Sequence, residues 1–397
     1  MIDISKALRI IERETPKLGS ERVPLSMSVG RVLAEKIVAD TDLPPFDRSQ
    51  MDGYAVVAAE TGNAPVMLGV VGESAAGHGW HKRLKSGQAV RVMTGAPVPA
   101  GADAVQRVED TSGWEGDQVT ILKSVSAGTS VVKKGAEVKK GTVIFRPGEI
   151  VTENMISAIA SFGYARLRVA RLPSVSIMAT GSEIVPVGKK PGRDQIRNSN
   201  SVMLQVLCQR LACGATTVLD TPRDDLDDLT AKIREVRSNV LIITGGVSAG
   251  KYDLTKAALE KLGAEIFFEK VRLKPGKPAV FARLGKTMVY GLPGNPVSAA
   301  VTFQIFARKT ILLMQAIRDS DLTGGYAVLD QAVRSPSDRD AYIPAALATD
   351  ARGHLIAIPL KSQGSSDFVG FSRAEALIKV QRGTALGQSE VAEVLFL

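Results

Sequence analysis

The chain has 397 residues, of which 45% are hydrophobic, and its 50 Lys and Arg against 41 Asp and Glu give a formal net charge of +9. This length is too great for one ordinary hydrophobic core and predicts two to four domains. Aromatic residues are only 5%, which leaves few platforms for stacking nucleic-acid bases, so a small anionic substrate explains the positive charge at least as well as a nucleic acid.

The beginning of the chain, MIDISKALRIIERETP, contains acidic residues and lacks the basic and then apolar pattern of a secretory signal. We expect no apolar run of the length needed to cross a bilayer. Cys208 and Cys213 are the only cysteines, too few for a disulfide framework. We therefore predict a cytoplasmic protein without a membrane partner, and charge alone does not decide between a nucleic acid and a small anion.

The first part of the chain predicts two domains. Residues 1–42 are expected to be helical, with Asp3 or Ser5 as a cap and Pro16 ending the first helix. Residues 43–127 contain short apolar runs divided by Gly, Pro and Asp, which predicts a β-rich domain. Residues 128–168 add short strands and one helix. We expect this segment to join 1–42 in a discontinuous domain.

The second part predicts an α/β domain followed by a β domain. In residues 169–317, β-branched runs alternate with helical patterns, which is typical of an open parallel α/β sheet. Residues 318–397 contain short strands separated by Gly, Pro and Asp, which predicts a small β-sandwich or barrel. The expected fold class is multidomain α/β plus β.

Polar and glycine-rich loops follow three strands of the α/β domain. They begin at Thr180, at Thr244 (continuing through Gly245 and Gly246 towards Asp253), and at Pro293. Ligands of open α/β sheets bind at the carboxyl ends of the strands, and backbone N–H groups at helix starts favour anions. The alternative interpretation is structural, with Gly245-Gly246 forming a tight turn and Asp253 capping a helix.

A fourth loop carries Lys274 and Lys277 on either side of Pro275-Gly276. Alone, these lysines could be the solvated ends of a hairpin. Four such loops at one sheet edge, with carboxylates able to hold Mg²⁺, instead predict phosphoryl or oxyanion transfer.

Two stretches of the β-rich domain are of the same kind. PPFDRSQMDGYAV contains Asp52-Gly53, and RVMTGAPVPAGADAVQRVED places Thr94-Gly95 after a strand. Either could be only a turn, and Asp52-Gly53 has the composition of a hairpin turn.

Together these stretches resemble the molybdopterin molybdenumtransferase family, which is related to the E domain of gephyrin. The shared motifs are PPFDRSQMDGYAV, RVMTGAPVPAGADAVQRVED, TGSEIV, TGGVSAGKYDLTK, LKPGKP and LPGNPVSA. They occur in the family's order from about residue 40 to 300.

The resemblance implies insertion of molybdate into adenylylated molybdopterin with release of AMP, in the presence of Mg²⁺. It implies a homodimer of four-domain subunits in which the molybdopterin-binding-like domain, residues 169–317, holds the pterin-adenylate. The adenylylating enzyme and recipient molybdoenzymes are further partners that it suggests, and it implies small anionic substrates and no nucleic-acid partner.

The resemblance also assigns site residues. Transfer would use Asp52, Thr94, Asp253, Lys274 and Lys277, and Mg²⁺ would be held by Asp253 with Asp224 or Asp225. The residues expected to bind the pterin-adenylate are Glu183, Asn198, Ser199, Gly245, Gly246, Ser248, Pro293, Gly294, Asn295 and Pro296.

Two positions depart from the family pattern. Arg197-Asn198-Ser199-Asn200 stands where the family commonly has an Asp-Ser-Asn run, so a carboxylate is lost there. Glu137 occupies the usual aspartate position in KKGAEVKKG, which keeps the charge on a longer side chain.

Two alternatives remain open at this point. A molybdopterin adenylyltransferase usually consists of a lone α/β domain with a Gly-Gly-Thr-Gly loop, whereas this chain has Gly-Gly-Val-Ser. A gephyrin-like scaffold would carry an attached adenylylating domain and a long linker. The sequence does not distinguish molybdate from tungstate as the oxyanion.

Overall fold

The computed structural model describes residues 1–211, 213–222, 225–246, 254–360 and 366–397. The chain divides into two compact units. The first unit comprises Met1–Ala34, Gly148–Thr152 and Leu167–Leu397, and the second unit comprises Glu35–Pro147 and Glu153–Arg166. The division of the chain into four domains stays a prediction.

The described residues form helices distributed along the whole chain. In chain order they are α1 (Ile4–Glu14), α2 (Glu153–Ser161), α3 (Ser199–Arg210), α4 (Leu226–Glu235), α5 (Leu254–Lys261), α6 (Pro296–Thr302), α7 (Arg308–Met314) and α8 (Phe368–Phe371). A π-helical turn, Phe303–Ala307, joins α6 to α7, and short 3₁₀ turns occur at Leu25–Met27, Ala58–Thr61 and Val108–Asp110.

Strands make up most of the remaining regular structure. Up to residue 170 they are β1 (Ser20–Pro24), β2 (Ile37–Val38), β3 (Arg48–Ser49), β4 (Gly53–Val56), β5 (Val66–Ser74), β6 (Gln88–Val92), β7 (Ala104–Arg107), β8 (Gln118–Ile121), β9 (Val131–Val132), β10 (Val143–Phe145) and β11 (Arg166–Ala170). From residue 171 they are β12 (Val175–Ala179), β13 (Ile184–Val185), β14 (Ile196–Arg197), β15 (Thr216–Val218), β16 (Val240–Thr244), β17 (Glu265–Lys270), β18 (Leu273–Lys274), β19 (Pro278–Leu284), β20 (Thr287–Leu292), β21 (Gly324–Leu329), β22 (Val333–Arg334), β23 (Asp340–Thr349), β24 (Leu355–Pro359), β25 (Ala376–Val380), β26 (Ala385–Leu386) and β27 (Val391–Phe396).

The second unit is built on a five-stranded sheet, as the β-rich pattern predicted. Its strand order is β7-β4-β6-β5-β8, and all pairs are antiparallel except β5 with β6. One face buries Tyr54, Leu68 and Ile121. The Tyr54 hydroxyl donates a hydrogen bond to the carbonyl of Gly113 at 2.7 Å, so the buried ring keeps a polar partner.

The central sheet of the first unit has the strand order β15-β12-β16-β20-β19-β17. Alternate residues of β16 belong to different cores: Val240 and Ile242 lie in one, and Leu241 and Ile243 in the other. Both faces are therefore covered, which explains the continuous apolar run of this strand. The predicted α/β fold is confirmed.

The prediction of an open parallel sheet is wrong for one strand, β19, which runs opposite to the other five. The pairs β15–β12, β12–β16 and β16–β20 are parallel, but β19 pairs antiparallel with both β20 and β17. Only Gly285 and Lys286 separate β19 from β20. A two-residue connection closes a hairpin, whereas a parallel crossover needs a dozen residues or more.

The C-terminal part of the first unit is a closed five-stranded barrel. Its strands follow the order β23-β24-β21-β27-β25, and pairing of β25 with β23 closes the ring. β18 adds in parallel to β23, with Leu273 opposite Asp340 and Lys274 opposite Ala341. The barrel-like prediction is confirmed, and β18 fixes the first lysine of the Lys-Pro-Gly-Lys loop against the barrel.

The expectation that residues 1–42 are helical is wrong beyond α1, because strands and a 3₁₀ turn follow it. Asp3 occupies the N-cap position but makes no side-chain cap hydrogen bond. Its carboxylate accepts instead from Arg272 at 3.2 Å and from Arg382 at 2.7 Å. The carboxylate therefore forms charge-assisted hydrogen bonds with two guanidinium groups that the fold brings close, and it does not cap α1.

The helical segment Pro296–Met314 has 19 residues and a mean hydropathy of 1.3, so by length and composition it could cross a membrane. The sequence analysis did not expect such a segment. In the structure 83% of its most apolar window is buried, and Val301, Phe303 and Phe306 belong to the core of the first unit. Its apolar residues are thus accounted for by packing within the protein.

Candidate active site

Three loops meet at the carboxyl edge of the central sheet. They follow β12, β16 and β20, and backbone hydrogen bonds join them directly: Thr180 N–H donates to the carbonyl of Thr244 at 2.9 Å, and Gly245 N–H donates to that of Leu292 at 3.1 Å. The predicted convergence of polar loops at this edge is therefore observed.

Gly245 is required where the first two loops approach each other. Its φ is +91°, and a Cβ added there would lie 2.5 Å from the carbonyl oxygen of Thr180. Any other residue would be strained and would push the loops apart. This glycine therefore determines how closely the backbone of one loop approaches the other.

The N-terminus of α3 is fastened to the same loops by Asn200. Its Nδ2 donates to Thr244 Oγ1 at 3.0 Å and to the carbonyl of Gly294 at 2.7 Å. The Thr244 hydroxyl in turn donates to the carbonyl of Pro293 at 3.1 Å. One amide thus connects α3 with the ends of β16 and β20. The sequence analysis did not assign Asn200, although it is the last residue of the Asn-Ser-Asn run that was singled out.

These elements surround a pocket of ≈ 1590 Å³ in the first unit. Nine of the residues predicted to bind the pterin-adenylate line it: Glu183, Asn198, Ser199, Gly245, Gly246, Pro293, Gly294, Asn295 and Pro296. The tenth, Ser248, lies outside the described residues. Asn198 also caps α3, accepting from Ser201 N–H at 3.1 Å.

Arg197, the residue before Asn198, supports one wall of the pocket. Its Nε donates to the carbonyl oxygens of Val187 at 3.0 Å and Lys189 at 3.1 Å. Arg197 and Val187 both line the pocket. Arg197 therefore holds the loop between β13 and β14.

A smaller pocket of ≈ 530 Å³ contains Lys274 and Lys277. Arg334 and Arg339 line it too, and sequence reasoning had assigned neither. Arg339 directly precedes β23, and the pairing of β23 with β18 brings it beside the Lys-Pro-Gly-Lys loop. Arg334 lies in β22. Four cationic side chains on one small pocket form a site for a compact anion.

The two pockets are neighbours within the first unit. Pro278, Pro293 and Asn295 line both of them. On the basic side, the guanidinium of Arg339 holds the pKa of Asp338 below its ordinary value, with a smaller contribution from Lys277. Asp338 therefore stays ionised and offsets part of the positive charge.

The structure describes one of the three predicted metal ligands, Asp225. Asp224 and Asp253 lie outside the described residues. Asp225 is the N-cap of α4 and accepts from Asp227 N–H at 2.8 Å. Within the described part of the chain, no group of three or more His, Cys, Asp or Glu is positioned to hold a metal ion.

Asp52 and Thr94 lie in the second unit and contact each other directly. One carboxylate oxygen of Asp52 accepts from the Thr94 backbone N–H at 2.7 Å and from its hydroxyl at 2.8 Å. Both donors lower the pKa of Asp52, and the backbone N–H has the larger effect. Glu137, in the same unit, forms an exposed ion pair with Arg48 at 3.3 Å.

Comparison with known families covers nearly the whole chain. Residues 2–163 match the model of the MoeA N-terminal region (domains I and II), 176–312 that of a probable molybdopterin binding domain, and 326–397 that of the MoeA C-terminal region (domain IV). A molybdopterin molybdenumtransferase of Bacillus subtilis is 35% identical over 393 residues, which cover 96% of this chain and 91% of that protein. The chain belongs to the molybdopterin molybdenumtransferase family.

Two further proteins are similar to this chain over most of its length. A molybdopterin molybdenumtransferase of Haemophilus influenzae is 35% identical over 297 residues, covering 75% of this chain and 73% of that protein. The crystal structure of a molybdopterin biosynthesis MoeA protein from Pyrococcus horikoshii superposes with a TM-score of 0.86 at 30% identity, covering 100% of this chain and 99% of that one. The family resemblance noted from the motifs is thereby confirmed, whereas the role of each site residue stays a prediction.

Proposed function

We propose that this molybdenumtransferase-family enzyme inserts molybdate into adenylylated molybdopterin and releases AMP. The observation that carries the proposal is the pair of adjoining pockets in the first unit, which share Pro278, Pro293 and Asn295. One pocket is large and bordered by backbone-rich loops, and the other is small and basic. A large phosphorylated substrate and a small oxyanion would meet at the shared wall.

The larger pocket suits the pterin-adenylate. Its volume of ≈ 1590 Å³ exceeds what an ordinary small ligand needs. Gly245, Gly246 and Gly294 bring bare backbone to its wall, and Pro296 begins a long helical segment there. Backbone N–H groups and a helix N-terminus favour a phosphate. The phosphoanhydride would bind at these loops.

The smaller pocket suits molybdate, a compact dianion. Lys274, Lys277, Arg334 and Arg339 would surround it with positive charge. Lysines act as point charges, and arginines add directed N–H donors. These residues would hold molybdate beside the phosphoanhydride and neutralise the charge that grows on the oxygens as AMP departs.

Mg²⁺ is part of the proposal through the family resemblance. Asp253, with Asp224 or Asp225, would hold the ion, which when bound would polarise the phosphoanhydride. Asp225 already uses one oxygen to cap α4, so its second oxygen is the one available to a metal. We also propose a cytoplasmic homodimer that receives its substrate from the adenylylating enzyme and passes its product to recipient molybdoenzymes.

The test is to incubate the purified protein with molybdopterin-adenylate and Mg²⁺ and to measure AMP by chromatography. We expect AMP only when molybdate is added, and parallel assays with tungstate would define the oxyanion preference. Formation of the adenylate from molybdopterin and ATP would instead indicate the adenylyltransferase alternative. No turnover of any kind, together with tight binding to a receptor segment, would favour a gephyrin-like scaffold.

A further inference from the structure

The larger pocket has an apolar wall in addition to its glycine loops. Its side chains come from the β13–β14 segment, from α3 and α5, and from α8: Ile184, Val187, Ile196, Val202, Met203, Leu254 and Phe368. Val187, Ile196 and Val202 are exposed to about half of their full extent. Side chains of this kind are normally covered, so a ligand that binds here should bring an apolar surface of its own.

Phe368 is the aromatic member of this wall, and among the described lining residues it has no aromatic companion. It is 53% exposed. A Phe ring left half in water forgoes a large hydrophobic contribution. Its exposure at a pocket wall is explained if a ligand covers it.

The short helix α8 holds Phe368 in place. Asp367 caps the helix by accepting from Gly370 N–H at 3.0 Å, and Phe371, on the same helix, packs against the core of the first unit. The cap and the packing of Phe371 therefore fix the backbone that carries Phe368. The next residue, Val369, is 70% exposed and does not line the pocket.

We propose that Phe368 is a specificity residue that stacks on a flat heteroaromatic ring of the substrate. This inference rests on the proposed function, under which the substrate offers two such rings, the pterin and the adenine. Every heteroaromatic ring has a π face, and a ring stacked on an aromatic side chain gains on the order of tenfold or more in affinity. The phosphates would extend from the stacked ring towards the glycine loops.

The test measures ligand binding without turnover. Isothermal titration with AMP, with a free pterin and with ribose 5-phosphate would be run on the wild-type protein, on Phe368→Ala and on Val369→Ala. We expect Phe368→Ala to weaken binding of one of the two ring ligands by about tenfold. Ribose 5-phosphate carries no such ring, so its binding should not change. Val369→Ala should match the wild type, and both variants should unfold at the wild-type temperature because both side chains are exposed.

A second variant gives an independent signal. Phe368→Trp keeps a stacking surface, so it should retain the affinity, and its indole fluorescence should be quenched by the ring that stacks. Quenching by AMP identifies adenine, and quenching by the pterin identifies the pterin. The proposal is overturned if neither ring ligand binds in a manner that depends on residue 368. If binding depends on Phe368 but molybdate-dependent AMP release is absent, only the proposed function fails.

Discussion

The carboxylate of Asp52 accepts two hydrogen bonds from one residue, Thr94, through its backbone N–H and its hydroxyl. Both donors stabilise the ionised form, so the pKa of Asp52 lies below its ordinary value. The charge of Asp52 thus contributes to stability above the pKa that it has in the unfolded chain. That contribution is lost as the pH falls through the lower, folded-state pKa.

Thr94→Val tests this relationship, because it removes the hydroxyl donor and keeps the backbone donor. We expect the pKa of Asp52 to rise part of the way to its ordinary value, as measured by a ¹³C titration of the carboxyl group. The loss of stability should be largest at neutral pH and should shrink in acid, where Asp52 is protonated in both proteins. Thr142→Val, at an exposed threonine of the same unit, is the control. An unchanged Asp52 titration in Thr94→Val would show that the backbone N–H alone sets the pKa.

Gly276 determines the position of the lysine loop. Its φ is +114°, and a Cβ there would lie 2.4 Å from Cγ2 of Thr302 in α6. Gly276→Ala should therefore add backbone strain to a steric clash and destabilise the protein by about 2–4 kcal/mol in urea unfolding.

Two further variants separate the strain from the clash. Gly285, in the β19–β20 turn, has a φ of +58° and open space around its Cα, so Gly285→Ala should cost only about 1 kcal/mol. Thr302→Ser removes the methyl group but keeps the hydroxyl that donates to Ser298 O at 2.6 Å. Adding it to Gly276→Ala should recover the steric part of the loss. Equal effects of the two alanine substitutions would mean that the contact with Thr302 has no energetic weight.

The sequence predicted the loops of the site better than the partners that the fold brings to them. Glycine, proline and apolar spacing are local signals, so Gly245, Pro293 and Lys274 could be assigned from the chain alone. Arg339 lies 62 residues after Lys277, directly before β23, and the pairing of β18 with β23 brings the two together. No local pattern contains that information.

Asn200 and the strand directions show the same limit. The partners of Asn200, the Thr244 hydroxyl and the Gly294 carbonyl, lie together only because β16 and β20 are adjacent. The composition of β17 and β19 is typical of buried strands, but composition does not indicate the direction of a strand. Their antiparallel pairing follows from the short connections between successive strands.

Asn200→Ala tests the clamp between α3 and the strand ends. It removes two hydrogen bonds, and Thr244 keeps its bond to Pro293, so we expect a loss of about 1–2 kcal/mol in urea unfolding. The loops should also lose their alignment, which would lower kcat/KM for AMP release by roughly tenfold or more.

Two comparisons make this result interpretable. Gln209→Ala, on the exposed part of the same helix, should leave both quantities unchanged. Thr244→Val should cost less when Asn200 has already been replaced, because the two side chains share a hydrogen bond. Strictly additive losses in this double-mutant cycle would contradict the clamp.

The basic pocket leads to the last prediction. Lys274 and Lys277 are exposed and should therefore contribute little to folding. If they hold molybdate, Lys274→Ala and Lys277→Ala should each raise the molybdate concentration needed for half-maximal AMP release by about tenfold or more, since charge-assisted hydrogen bonds are lost. Arg339→Lys should have an intermediate effect, because it keeps the charge but loses the directed N–H donors. Lys286→Ala, in the β19–β20 turn and likewise exposed, is the matched control for a change in net charge.

The salt dependence gives a second test of the same lysines. Raising the salt concentration should increase the molybdate concentration needed for half-maximal AMP release more in the wild type than in the lysine variants, because the variants have fewer charges to be screened. Variants that melt at much lower temperature but keep the wild-type molybdate dependence would show that these lysines support the fold and do not bind the oxyanion.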